Sequence, residues 1–309
     1  MNGFRRSPTG RIAAGLLAAV GAAALTAGCG SSSSGTAQSP AATLKRAAYV
    51  STAATGYKLA MTMDESVAGQ KIAATADGSF SPGSHTGDMT THMQLPIGGS
   101  GLGLGMNLAL QMVIDHGTIY VKLPSALASR IPGGKPWISV NFAQLGKTAG
   151  LTGMGSLMNS GSTLNDPGQY LNFLRATTDG SVKDLGQATV DGVQTTHYRA
   201  SVDFAKLPNA VPAADKQAVE KLIATMESKA SITQMPVDAW IDSSHLIRRL
   251  HISYSASVAG QTVAIDLTEN FSDYGSQPAP TIPSPDQTTN ALSLMHGSLT
   301  TQSQTTQIG

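Results

Sequence analysis

The stretch "YKLAMTMDESVAGQKIAATADGSF", Tyr57 to Phe80, decides the fold because apolar and polar residues alternate along much of its length. In its first half the apolar side chains would share one face of an extended strand: Tyr57, Leu59, Met61 and Met63. The turn-forming "AGQ" at 68–70 leads into a second alternating run. Two such runs around a short turn are typical of a β-hairpin. The stretch therefore predicts two antiparallel strands, each with one apolar and one polar face.

The same period of two recurs along the rest of the chain. Further alternating runs are "TGDMTTHMQL", "MNLALQMVID", "TIYVKL", "GKPWISV", "SVKDLGQATV", "VQTTHYRASVDF", "PVDAWID", "LIRRLHISYSASV" and "QTVAIDLTENF". We expect about ten strands in two blocks, the first of them an antiparallel meander. Helical patterns are confined to residues 41–54, to "DPGQYLNFLRAT" from Asp166, and to residues 213–229.

These helices are too few and too short to cover the area of sheet that the alternating runs predict. A large sheet with one apolar face must be covered or must curl around its own core. We therefore predict an α+β fold: a large curled antiparallel sheet, open like a half-barrel, with helices covering or plugging its mouth.

The N-terminal region predicts an export signal. Met1 to Arg11 contains three arginines and no acidic residue, and an unbroken run of small and apolar residues follows from Ile12 to Ala27. That run is shorter than the roughly 20 residues that a membrane-crossing helix needs.

The segment "LTAGC", which ends at Cys29, the single cysteine of the chain, resembles the lipobox of bacterial lipoprotein precursors. The resemblance implies diacylation of Cys29 and cleavage just before it. The alternatives are a plain secretory signal with a stray cysteine, or an N-terminal membrane anchor.

Composition then divides the chain into four parts. Residues 1–28 are predicted to be a lipoprotein signal peptide, and the serine-rich residues 29–43 a flexible tether. Residues 44–285 are predicted to form the half-barrel domain. Residues 286–309, rich in Pro, Ser, Thr and Gln, are predicted to be a disordered tail.

The charge of the exported part excludes nucleic acid as a partner. The leader holds three of the 20 basic residues and no acidic one, so 17 basic residues face 19 acidic ones, a net charge of −2. A nucleic-acid-binding protein needs clustered Lys and Arg to neutralise phosphates.

No catalytic, cofactor or metal motif is found in the sequence. The glycine-rich "IGGSGLGLGM" lacks the Lys-Ser/Thr of a P-loop, and we expect either an apolar loop at a cavity mouth or a plain hairpin loop. No G-x-S-x-G elbow occurs, and His245 and His251 are wrongly spaced for a shared metal. Asp238, Trp240 and Asp242 would share one strand face, where solvent-facing charges are expected. The protein is therefore predicted not to be an enzyme and to need no cofactor.

Methionine is the most suggestive residue of the first strand block. The predicted apolar faces there carry nine residues, six of them methionine: Leu59, Met61, Met63, Met89, Met93, Met106, Leu108, Leu110 and Met112. Methionine is unbranched and adaptable, so it suits a surface that accepts acyl chains of variable shape. The alternative is an ordinary core in which methionine fills gaps.

Three segments, in this order behind the lipobox, carry a resemblance to a known family. They are "VDGVQTTHYRASVDF" (190–204), "PVDAWIDSSHLIRRLHISY" (236–254) and "NFSDYGSQPAPTIPSP" (270–285). Over residues 44–285 the chain resembles the LolA-like lipoproteins of actinobacteria, and within them the mycobacterial LppX/LprG group. The resemblance implies a half-barrel that encloses a hydrophobic cavity and carries lipid or acyl chains across the cell envelope. The residues shared with the family are structural, so it transfers no catalytic residue.

The sequence thus predicts a lipoprotein held on the extracytoplasmic face of the cell membrane by acylated Cys29. Its partners would be a lipid or an acylated hydrophobic ligand, bound at the nine apolar residues above, and an envelope transporter. One alternative is a sensory or structural envelope lipoprotein whose barrel is filled by its own side chains. Another is a hydrolase acting at the envelope.

Overall fold

The computed structural model describes residues 38–67, 69–96, 105–141, 168–211, 213, 216–230, 233–258 and 260–294. Cys29 and the signal sequence lie outside these residues, as does the glycine-rich loop from residue 97 to 104.

The described residues contain one sheet of twelve strands. The strands are β1 (Tyr57–Val67), β2 (Gln70–Ser81), β3 (Thr86–Pro96), β4 (Gly105–Asp115), β5 (Thr118–Lys122), β6 (Trp137–Asn141), β7 (Lys183–Val190), β8 (Val193–Asp203), β9 (Gln234–Asp242), β10 (Ile247–Val258), β11 (Gln261–Ser272) and β12 (Thr288–Asn290). Their order in the sheet is β12-β6-β5-β4-β3-β2-β1-β11-β10-β9-β8-β7. Because β12 and β7 are edges that do not pair with each other, the sheet is open.

Two meanders form this sheet, and one long-range pairing joins them. β1 to β6 and β7 to β11 each follow chain order, and β1 pairs antiparallel with β11, with Leu59 opposite Phe271. A single buried cluster includes residues of β1, β2, β4 and β8 to β11, so the sheet curls around a shared core. The predicted fold class, a large open antiparallel sheet with few helices, is confirmed.

The helices that accompany the sheet within the described residues include α1 (Pro40–Thr52), α2 (Ser125–Ala128), α3 (Gln169–Phe173) and α4 (Lys216–Ala230). Ser39 caps α1 by accepting a hydrogen bond from the Ala42 amide at 3.3 Å, and Pro40 occupies the first turn. The helix therefore takes in residues 40–43, which the sequence assigned to the tether. α3 starts at Gln169, later than predicted, and Asp166 lies outside the described residues.

α1 and the chain around it close one end of the curled sheet. Leu44 is fully buried against this end, and the Ser51 hydroxyl accepts a hydrogen bond from the Ile247 amide at 2.9 Å. Tyr274 donates to the Ile247 carbonyl at 2.6 Å, and burial raises the pKa of its phenol. The Tyr57 ring meets the Phe271 ring edge-on, with centroids 5.4 Å apart. The result is a rigid plug of aliphatic and aromatic side chains.

The C-terminal segment extends further than the sequence indicated. Residues 288–290 form β12, which pairs in parallel with β6. Lys135 Nζ donates to the carbonyls of Pro285 at 2.9 Å and Thr288 at 3.1 Å. These contacts hold the segment against the sheet, so order continues past residue 285, where the disordered tail was predicted to begin. Residues 295–309 lie outside the described residues.

Among the described residues, no helix has both the length and the apolar composition to cross a membrane.

Candidate ligand-binding face

The inner face of β2 carries the smallest side chains of the first meander. Gly78, Ala76 and Ala74 follow one another at every second position, from the closed end toward the open end. A side chain at Gly78 has no room, because its Cβ would lie 2.0 Å from the Asp88 carbonyl oxygen. These three residues form the floor of a trough that runs along the strand, which we call the β2 trough.

Larger side chains form both walls of the β2 trough. Ala74 lies opposite Met63 of β1 and opposite Met93 of β3, so all three share one row across the sheet. Neighbouring strands are about 4.8 Å apart, which separates these two methionines by about 10 Å. Ala74 and Ala76 are each only 3% exposed, so neighbouring side chains lie over this floor.

The structure brings the predicted site residues together on this inner face. Leu59 is buried at 4% exposure, whereas seven residues are only half-buried: Met61, Met63, Met89, Met93, Leu108, Leu110 and Met112. We call these seven the methionine face. Met106 belongs to β4, opposite Leu95, but its side chain lies outside the described residues. Their contact with a ligand stays a prediction.

Two depressions lie on the outer face of the first meander. One, of about 410 Å³, is lined by outer-face residues of β1 to β4 such as Thr62, Thr75 and His92. The other, of about 610 Å³, is bounded by β4, β5 and α2 and includes Thr90 and Ala109. The side chains of the methionine face point to the opposite side of the sheet from both depressions.

Two buried polar residues lie on the inner face of the strands around the β2 trough, and both were missed as site residues in the sequence. Thr91 of β3 is 8% exposed and Glu269 of β11 is 1% exposed. Both lie in one row across the sheet, in which Met61 and Ala76 separate them. Each stands at an apolar position of its alternating run, and that phase was the signal that could have revealed them.

Tyr170 on α3 lies close enough to Glu269 for the charge of the carboxylate to affect the pKa of the phenol. Burial raises the pKa of Tyr170 to about 12, and the negative charge of Glu269 adds to the shift. The Tyr170 ring packs edge-on against Phe173, with centroids 5.6 Å apart. The phenol therefore stays protonated at neutral pH and available as a hydrogen-bond donor.

The outer face of β8 to β10 holds the charged residues of the second meander. His197 stacks on Trp240 with centroids 4.1 Å apart and contacts Asp238 Oδ1 through Nε2 at 2.7 Å. Arg199 Nε donates to the same oxygen at 2.9 Å. Asp242 accepts from the backbone amide of Leu246 at 2.9 Å and closes the β9–β10 turn. These carboxylates hold the strands and the turn together.

No metal-binding group is present in the part of the chain that the structure describes: no three His, Cys, Asp or Glu side chains are placed to hold an ion.

The fold and its inner face define a class of protein: a single open sheet, plugged at one end, with an adaptable apolar surface inside. Among solved structures, the chain is similar to LprF from Mycobacterium bovis, with 16% identity, a TM-score of 0.42, and coverage of 80% of this chain and 96% of LprF. It is also similar to the Mycobacterium tuberculosis lipoprotein LppX, with 12% identity, a TM-score of 0.37, and coverage of 77% of this chain and 96% of LppX. The group that the sequence resembles is thus also found among similar structures. At these identities and scores the likeness concerns general architecture alone.

Sequence comparison gives one further relative. The chain is 31% identical over 160 residues to an uncharacterized 31.2 kDa protein from the rplA–rplJ intergenic region of Streptomyces griseus. The match covers 51% of this chain and 48% of that protein, so the chain spans about half the length of this relative. No family model matches the chain.

Proposed function

We propose that this protein is a cell-envelope lipoprotein that binds a lipid or another hydrophobic ligand inside its half-barrel, for transport or trafficking, and that it is not an enzyme. The observation that carries the proposal is the methionine face. Seven large apolar side chains stay half-buried beside a trough floored by small residues. A filled barrel would bury them completely.

Burial of hydrocarbon would supply the binding energy. A ligand chain that loses roughly 300 Å² of apolar surface to the trough gains roughly 7.5 kcal/mol, at about 25 cal/mol per Å². Methionine side chains have three rotatable bonds and can follow chains of different shape.

Acylated Cys29 would anchor the protein on the extracytoplasmic face of the cell membrane. In this proposal residues 1–28 are removed and the segment up to Ser39, the cap of α1, is the tether. Each buried methylene of an acyl chain contributes about 0.8 kcal/mol, and two chains give stable anchoring. The support is the N-terminal pattern of arginines, apolar run and lipobox-like "LTAGC".

Cys29→Ser should move the protein from the membrane fraction to the soluble fraction, with no acyl mass on its N-terminal peptide. Retention in the membrane would point to an uncleaved N-terminal helix instead.

Ligand binding is tested on protein purified from its native membrane. We expect native mass spectrometry to show a co-purified lipid and extraction to release it. The delipidated protein should gain melting temperature when envelope lipids are returned. Absence of any bound lipid, together with no thermal shift, would contradict the proposal and favour a filled barrel.

A further inference from the structure

Thr91 is a polar side chain placed where the fold has no evident use for one. It lies on the inner face of β3, directly across from Ala76 on the floor of the β2 trough and from Leu110 on β4. Only 8% of the residue is exposed. Its Oγ1 has no hydrogen-bond partner within the described part of the molecule.

A buried hydroxyl without a partner destabilises a protein, because its hydrogen bonds to water are lost and not replaced. Valine has nearly the same shape and would avoid this loss. The adjacent Ala76 is 3% exposed, and the half-buried Met61 and Leu110 lie on either side of these two residues in the same row. A hydroxyl at this place has a partner when a polar group of a ligand lies in the β2 trough.

The charges around the trough define what that polar group can be. The described inner positions of β1 to β4 and β11 include two carboxylates, Glu65 and Glu269, and no lysine or arginine. A carboxylate or phosphate placed there would meet like charge and no cation among these residues. An uncharged acceptor such as an ester carbonyl would accept the Thr91 proton without this repulsion.

We propose that Thr91 Oγ1 donates a hydrogen bond to the ester carbonyl of an acyl chain lying along the β2 trough. The ligand is then an acyl ester, and neither a plain hydrocarbon nor a free fatty acid is the preferred cargo. This inference rests on the proposed lipid-binding function and deepens it by naming the chemical class of the ligand.

The test compares three probes of similar chain length: methyl palmitate, palmitic acid and heptadecane. Each is delivered from cyclodextrin to the delipidated protein, and displacement of the apolar fluorophore N-phenyl-1-naphthylamine gives the apparent Kd. For the wild type we expect methyl palmitate to bind most tightly and ionised palmitic acid at least tenfold more weakly. Thr91→Val should weaken methyl palmitate about fivefold and leave heptadecane unchanged.

Thr90→Val is the matched control, because Thr90 is the adjacent residue of β3 and points to the opposite face of the sheet. It should change none of the three affinities. The ligand-free Thr91→Val protein should also melt a few degrees higher than the wild type, since the variant removes an unsatisfied buried hydroxyl. That gain shows that the variant folds.

The outcomes separate the two proposals. If no probe binds the wild-type protein, the lipid-binding function fails and the inference fails with it. Suppose instead that the probes bind, but that Thr91→Val weakens the binding of methyl palmitate and heptadecane equally, or weakens the binding of neither. Lipid binding then stands, and the Thr91 contact is overturned. Palmitic acid binding as tightly as methyl palmitate overturns the assignment of an uncharged ligand.

Discussion

The inner face of this sheet has two regions that differ in how completely they are buried. In the second meander, six residues, which we call the covered face, are at most 6% exposed: Val202, Met235, Val237, Ala239, Ile241 and Leu250. In the first meander, the methionine face stays half-buried. Both faces belong to one continuous sheet, joined where β1 pairs with β11.

The position of the helices explains this difference. α1 contacts β7, β9 and β10, and α4 contacts β10, so these helices cover the second meander. Three of the six residues of the covered face are stiff β-branched residues, Val202, Val237 and Ile241, as suits a permanent and close-packed core. The methionine face instead carries flexible side chains beside small ones, as suits a surface whose contents change. The same strand pattern thus produces a rigid half and an adaptable half.

The largest effect that distinguishes the two halves is expected from truncation. Leu250→Ala should lower the free energy of unfolding by about 3 kcal/mol, because it leaves a cavity in a fully packed site. Met63→Ala should lower it by about 1 kcal/mol, since Met63 is only half-buried. Urea denaturation of the ligand-free protein measures both.

Leu185→Ala provides the control for this truncation, because Leu185 is 46% exposed on the edge strand β7 and its loss should cost little. Equal losses for Met63→Ala and Leu250→Ala would show that the methionine face is an ordinary core, and the distinction between the halves would be lost.

Local patterns explain why much of the fold could be predicted from the sequence. The alternation from Tyr57 to Phe80 depends on residues adjacent in the chain, and it correctly predicted β1, β2 and the residues that share their inner face. The pairing of Leu59 with Phe271 joins distant parts of the chain and has no local signal. β12 was missed for a related reason: three polar residues pair in parallel with β6 and are held through Lys135.

The candidate site could be predicted only in part, for the same reason. Alternation placed the methionines on one face, but their half-burial depends on which strands α1 and α4 cover, and that is a property of tertiary packing. Thr91 and Glu269 were in phase with the apolar residues and were passed over. Their phase predicts that they are buried, but it does not show whether a buried polar group has a partner.

Tyr170 gives a smaller effect and a test of burial on α3. Its pKa is raised from the ordinary value of 10 to about 12 in the folded protein. The folded state therefore holds the proton more tightly, so the associated stability is complete below pH 10 and is lost as the pH rises from 10 to 12. Tyr170→Phe should abolish this alkaline loss of about 3 kcal/mol in the free energy of unfolding, measured by urea denaturation at a series of pH values.

Unchanged pH dependence in Tyr170→Phe would mean that its phenol is solvated, and that α3 does not shield the inner face beside Glu269.

The most discriminating change places a large side chain on the trough floor. Ala74→Leu should reduce the affinity for a long-chain ester by at least tenfold, about 1.4 kcal/mol, because the side chain would occupy the space between Met63 and Met93. In an empty trough it should alter the free energy of unfolding by less than about 1 kcal/mol. In a barrel filled by its own side chains, the same substitution overpacks the core and costs about 1 to 3 kcal/mol.

Ala73→Leu is the matched control, since residue 73 is adjacent on β2 and points to the outer face. A loss of stability in Ala74→Leu alone, without any loss of ligand affinity, would mean that both halves of the sheet enclose ordinary core.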